Sequence, residues 1–195
     1  MRRLWLACLL TALPSAAGAF SYSEGIDGDL SGDRLAPTAL VAAAGSNTLS
    51  GSTIAGDLEY LRITLPSGFQ LGSLVLNSVS SADDVAFIAV QSGTTFTVTP
   101  ATATPGALLG YTHFGSGPTA GGATVGNDML DDMGLGVGAI GFLPPLSGND
   151  FTFWIQQTTA QSFGYSLNFV VVPEPGTFAL LGLGLLALAR VRPRH

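Results

Sequence analysis

Phe163-Gly164-Tyr165-Ser166-Leu167-Asn168-Phe169-Val170-Val171 places an aromatic or aliphatic residue at every second position. A period of two sends alternate side chains to opposite faces of an extended backbone, so this stretch predicts a β-strand with one buried face. The pattern recurs upstream. Phe151, Phe153 and Ile155 alternate with Thr152, Trp154 and Gln156, and Leu61, Ile63 and Leu65 alternate with Tyr60, Arg62 and Thr64. Leu74 with Leu76, the run Phe87–Val90, and Phe96 with Val98 predict further short strands. Ser-Gly, Pro-Ser-Gly and Ser-Gly-Asn-Asp clusters separate them as turns. No convincing helical period occurs between Phe20 and Val171. The expectation is an all-β body over residues 20–171, an antiparallel β-sandwich or jelly-roll. Gly115 to Gly141 breaks the pattern and reads as a long glycine-rich loop, with a helical turn at Asn127 to Met133.

Charge is distributed unevenly. The chain has no lysine; Arg2, Arg3, Arg190, Arg192 and Arg194 lie at the ends, and only Arg34 and Arg62 lie between. All thirteen acids fall between Glu24 and Glu174, so residues 20–189 set thirteen negative charges against two positive ones, a net of −11. Phosphate binding needs clustered Lys and Arg, so nucleic acid is excluded as a partner. The hydrophobic fraction of 47% is too high for a disordered chain. The single cysteine, Cys8, sits in the apolar N-terminal run, leaving the body without a disulfide or a cysteine-based metal site.

The two ends read as addresses. Arg2 and Arg3, the apolar run Leu4–Leu13, the break at Pro14-Ser15 and the small residues Ala17-Gly18-Ala19 have the layout of a secretory signal peptide, residues 1–19, cleaved after Ala19. Export through the Sec machinery follows. At the other end, residues 172–195, Val172-Pro173-Glu174-Pro175 precedes an uncharged Leu/Ala/Gly run and then the three terminal arginines. The prolines interrupt regular structure. The segment from about 176 to 191 predicts a short membrane helix, and the basic tail, 190–195, stays cytoplasmic by the positive-inside rule.

This three-part C-terminus resembles the PEP-CTERM sorting signal. The resemblance implies recognition by exosortase, a membrane protease-transpeptidase, with processing near Val172–Pro175. It also implies an inner-membrane-anchored precursor and a cell-surface or extracellular product in a Gram-negative bacterium. A role in an exopolysaccharide matrix is implied by association. The body resembles bacterial pre-peptidase C-terminal (PPC-like) domains through Asp27-Gly28-Asp29-Leu30-Ser31-Gly32-Asp33, Asn47–Ser52, Asp57–Ile63 and Pro66-Ser67-Gly68. Glu59 stands where that family's second Asp is usual, and Leu61 where an aromatic is usual. Such domains are similar to carbohydrate-binding sandwiches and carry no catalysis of their own.

Asp27, Asp29, Ser31 and Asp33 place oxygens at alternate positions, as at the opening of a calcium loop. Thr38 stands at the twelfth position, where a bidentate Glu belongs, and Arg34 is an unfavourable neighbour. Glu24, Asp57 and Glu59 are the acids able to complete a site, and the competing reading is a solvated acidic turn. Asp83-Asp84 and Asp131-Asp132 read as surface turns rather than catalytic pairs. His113, flanked by Tyr111 and Phe114, reads as structural, with no nucleophile elbow to support a triad. Trp154 lies opposite Phe153 and Ile155, so it is the best candidate for a ligand contact, with Tyr60, Tyr111 and Tyr165 as further aromatic faces for a sugar; the competing reading, and the favoured one, is a packed strand aromatic. The function expected is non-enzymatic, structural or interactive; the alternatives are an exopolysaccharide-binding module or a secreted hydrolase's accessory domain.

Overall fold

The computed structural model describes residues 18–81, 85–117 and 122–176, with Gly182 and Gly184 beyond them. The expected leader through Ala17, the Asp83-Asp84 pair, most of the expected membrane helix and the basic tail lie outside the described residues. Among the described residues, no helix is long and apolar enough to cross a membrane.

The described chain is mostly β. In order it forms β1 (Ser21–Ser23), α1 (Glu24–Asp27), β2 (Thr38–Val41), β3 (Gly45–Thr53), β4 (Leu58–Thr64), β5 (Phe69–Ser81) and β6 (Ala86–Ser92). It continues through β7 (Gly110–Phe114), α2 (Met129–Gly134), β8 (Leu146–Ser147), β9 (Asp150–Gln156) and β10 (Phe163–Pro173). Two five-stranded sheets result, ordered β1-β3-β10-β5-β8 and β2-β4-β9-β6-β7. The expected wholly antiparallel arrangement needs correction, because β1 runs parallel to β3 and β2 runs parallel to β4. The registers give the reason. Each strand reverses the direction of the one before it, and through β5 each also changes sheet. Strands two apart in sequence therefore point the same way, and where they become neighbours the pair is parallel.

The opening stretch alternates as its sequence predicts: Phe163, Tyr165, Leu167, Phe169 and Val171 are all buried, and the residues between them are half-buried. One core holds these side chains together with Leu61, Ile63, Leu74, Leu76, Ile88, Phe153 and Ile155 from both sheets. Phe153 of β9 meets Phe169 of β10 edge-on at 5.4 Å, and Phe114 of β7 meets Phe163 at 5.5 Å, so aromatic contacts join the layers.

A second cluster covers the outer face of β9. Tyr60, Ala89, Phe96, Leu108 and Trp154 are buried there. The lid is the segment 93–109, which carries two short 3₁₀ turns at Pro100–Thr102 and Pro105–Ala107. Phe96 and Val98 thus belong to this covering loop and not to a strand. The side chain of Gln91 holds the loop, donating to the Ala107 carbonyl at 2.7 Å and accepting from the Thr97 amide at 2.8 Å. The glycine-rich stretch is likewise anchored. Asp128 caps α2 by accepting from the Leu130 amide at 3.0 Å, and it also accepts from the Leu74 amide of β5 at 2.8 Å.

The registers also define two ends of the body. At one, β10 finishes beside the start of β5, and the turns after β4 and before β9 lie with it. At the other lie the end of β3, the start of β4 and the start of β10, with α1 alongside β3.

Candidate functional site

Three acids meet at this second end. Glu59 is the second residue of β4, on the same side as Leu61 and Ile63, so strand geometry turns a carboxyl toward the core, and it is 0% exposed. Tyr165 of β10 donates its hydroxyl to Glu59 Oε2 from the opposite sheet. Glu59 Oε1 is buried and has no hydrogen-bond partner among the described residues. Glu24, on α1, is held by the backbone: its carboxylate accepts from the Ser52 amide at 2.7 Å and the Leu30 amide at 3.4 Å. Gly51 makes this approach possible, because a Cβ there would stand 2.7 Å from the Glu24 carboxyl carbon. Asp29 completes the group, with one oxygen from each of Glu24, Asp29 and Glu59 lying within 4.8 Å of the others.

The electrostatics of the cluster are one-sided. Burial, and then the charges of Glu24, Asp57 and Asp29, push the Glu59 carboxyl up to about 9, against the opposing pull of the Tyr165 hydrogen bond. Burial also raises Glu24 and Asp57, and each is raised further by the Asp29 charge. The described cations are engaged elsewhere. Arg34 donates to the Phe96 and Thr97 carbonyls at 3.2 and 3.0 Å, and Arg62 lies 3.7 Å from Asp150.

The loop spacing that suggested calcium is divided by the fold. Asp29 joins the cluster, but Asp27 turns back to accept from the Ser23 amide at 2.8 Å. Asp33 accepts from the Leu35 amide at 2.9 Å, and Ser31 Oγ from the Asp33 amide at 3.1 Å. Thr38, at the twelfth position, accepts from the Ser31 amide at 2.9 Å. Gly28, at φ 98°, turns the chain between Asp27 and Asp29 in a conformation that favours glycine. Glu24 and Glu59 were legible as acids able to contribute. The role of Tyr165 was not, although its place on the inward face of the strand was the available signal.

Trp154 points away from the first core, as its register requires, yet it is only 3% exposed because the 93–109 segment covers it. Phe87 meets it edge-on at 5.0 Å and Tyr60 lies stacked at 6.4 Å. Trp154→Ala should therefore cost about 3–5 kcal/mol of stability, as for other buried aromatics, read from the urea midpoint. A midpoint unchanged from the parent's would show that the lid does not rest on this side chain. Beside Trp154 a cleft of about 260 Å³ opens, lined also by Phe87, Thr104, Pro105, Tyr111 and Gln156. Tyr60 faces the same cluster, Tyr111 donates to the Val137 carbonyl at 2.9 Å, and Tyr165 is committed to Glu59. His113 packs edge-on against Phe87 at 5.6 Å, and Asp131 and Asp132 are exposed in the first turn of α2.

At the first end, β10 runs on into the C-terminal motif. Val172 pairs with Gln70 and Pro173 with Phe69, and the Glu174 amide donates to the Gly68 carbonyl at 2.8 Å. Pro175 and Gly176 are exposed. Ala19, at the expected signal cleavage point, is exposed just ahead of β1, whereas Ala17 lies outside the described residues.

Residues 171–194 match the family model of the PEP-CTERM protein-sorting motif. No curated protein and no solved structure matches the chain. The chain thus carries a PEP-CTERM sorting motif that begins within its last described strand. That motif implies an exosortase-dependent secreted or surface protein, exported by way of a membrane-anchored precursor.

Proposed function

We propose that the chain is a non-enzymatic surface or matrix protein of a Gram-negative bacterium, a PPC-like β-sandwich exported through Sec and released from its membrane helix by exosortase. The observation that carries this reading is the direct run of a central strand, β10, into the matched motif. Mass spectrometry of secreted and envelope fractions should find a chain beginning at Phe20 and ending within Val172–Pro175. Recovery of the intact chain in the cytosol alone rejects the reading.

The body's structural role includes a divalent cation, calcium, held by Glu24, Asp29 and Glu59, with Asp57 adding to the local negative charge. A buried carboxylate oxygen without a partner supports it. The donors are all carboxylate oxygens, which suits a hard cation. Their spread within 4.8 Å fits ligands at calcium's ~2.3–2.6 Å from a shared centre. Bound calcium would supply the positive charge that lets Glu59 ionise and would tie α1 to β4. Added calcium should raise the melting temperature of the parent, and Gly51→Ala, by displacing the Glu24 carboxylate, should abolish the rise. A parent that does not respond ends the proposal.

The cleft beside Trp154 favours a second reading, in which the body binds exopolysaccharide. Aromatic walls with a polar amide suit a sugar ring. Tyr111→Ala should then lose retention on the exopolysaccharide with folding intact; equal retention rejects this reading.

A further inference from the structure

The sorting motif has no spacer. Val172 and Pro173 are still in register with β5, Glu174 is bonded to the Gly68 carbonyl, and Val172 to Glu174 are half-buried. A cleaving enzyme that grips an extended peptide by its backbone needs N–H and C=O groups that this segment has already committed to β5. The hold is also one-sided. Pairing with β3 stops at Val171, opposite Gly45, so beyond that point β10 has, among the described residues, a strand neighbour only in β5. The Val172 methyls rest 3.0–3.1 Å from where a Cβ on Gly72 would lie, so a bare backbone position accommodates this strand end. The apolar run begins at Phe178, five residues after Pro173 and so no more than ~18 Å along an extended chain. A folded body in the anchored precursor therefore stands directly over the bilayer, with the motif at its base.

We propose that Gly68, Phe69, Gln70 and Gly72 are positioning residues of the sorting step. They hold Val172–Glu174 as a docked strand end, and exosortase acts on the fraction of molecules in which that end has separated from β5. Strand ends held by few bonds open at far lower cost than the core, so the device controls the rate of processing without unfolding the body. The proposal rests on the exosortase reading above.

Pulse-chase of the full-length chain in the producing bacterium tests it. Inserting Gly-Ser-Gly-Ser between Val171 and Val172 leaves the motif intact but off the sheet; precursor half-life should shorten about threefold or more as the competent fraction rises. Gln70→Cys with Val172→Cys locks the same end in the oxidising compartment outside the inner membrane. That precursor should persist about tenfold longer than either single-cysteine variant and mature when dithiothreitol is added. An insertion with no effect overturns the proposal, as does a locked precursor that matures at the single-cysteine rate. Replacing Pro173, Glu174 and Pro175 by alanine must itself accumulate precursor. If that variant matures normally, the exosortase reading falls, and the strand-end proposal falls with it.

Discussion

In calcium-free buffer at pH 7, Glu59→Gln should be more stable than the parent by about 3 kcal/mol, and it should not respond to added calcium. The effect comes from a carboxyl with no water around it. Glu59 is 0% exposed and its folded-state value is pushed up to about 9, from an ordinary 4.5, chiefly by burial. The folded protein therefore holds this proton where the unfolded chain has released it. Stability is fully present below about 4.5 and is lost as pH rises through about 9, at ~1.4 kcal/mol for each pH unit inside that window. Glu24 and Asp57 are shifted the same way and steepen the acid side of the fall. Glutamine does not titrate, and its amide oxygen can still accept from the Tyr165 hydroxyl. Its amide nitrogen can donate to the neighbouring carboxylates where Oε1 has no partner. The gap between variant and parent should open with pH in thermal melts recorded from pH 4 to 9 with a chelator present. In saturating calcium the parent should close the gap, because the proposed ion would stabilise the ionised form. Parallel pH profiles for the two proteins would refute the buried-carboxyl account.

The inward turn of Glu59 could be read in advance, since it shares parity with Leu61 and Ile63, and Tyr165 shares parity with Phe163 and Leu167. What no local pattern contains is that these two residues oppose each other across the layers, because that depends on β4 and β10 lying in different sheets. The acidic loop shows the complementary failure. Alternate oxygens from Asp27 to Asp33 imitate a calcium loop, but α1 and the Gly28 turn direct Asp27 to the Ser23 amide, and only Asp29 reaches the cluster. The remaining donors come from β4 and from α1, a helix too short to leave a periodic signature. Trp154 was legible as facing away from the Phe153 side. Its packing was the favoured reading, but what covers it was not legible, because the lid over it is an irregular, proline-bearing loop whose position depends on Gln91 and Arg34 rather than on periodicity. The parallel edge pairs escaped for a similar reason: period two tells which face is buried and says nothing of a strand's neighbour.

Asn47→Ala should cost about 4 kcal/mol or more, measured as a fall in urea midpoint at constant slope. Asn47 is polar and yet 0% exposed at the start of β3. Its Oδ1 accepts from the Ala43 amide at 2.9 Å and the Phe20 amide at 3.2 Å. Its Nδ2 lies within donating distance of the Ala43, Gly45 and Phe169 carbonyls at 2.9, 3.1 and 3.2 Å. One side chain thus joins the crossing between β2 and β3, the entry to β1 and the strand that carries the sorting motif. Alanine would leave several of these backbone groups buried and unpaired, at about 1–3 kcal/mol each, and would add a small cavity. Leucine fills the space without restoring a single bond, so Asn47→Leu should lose nearly as much; a mild leucine variant would mean that volume rather than hydrogen bonding holds this corner. The proposed export adds a further dependence. Cleavage after Ala19 would turn the Phe20 amide into an ammonium, and a charged donor would strengthen its bond to Oδ1. The mature chain should therefore suffer more from Asn47→Ala than the uncleaved precursor, and comparison of the two forms by protease resistance would read the difference directly.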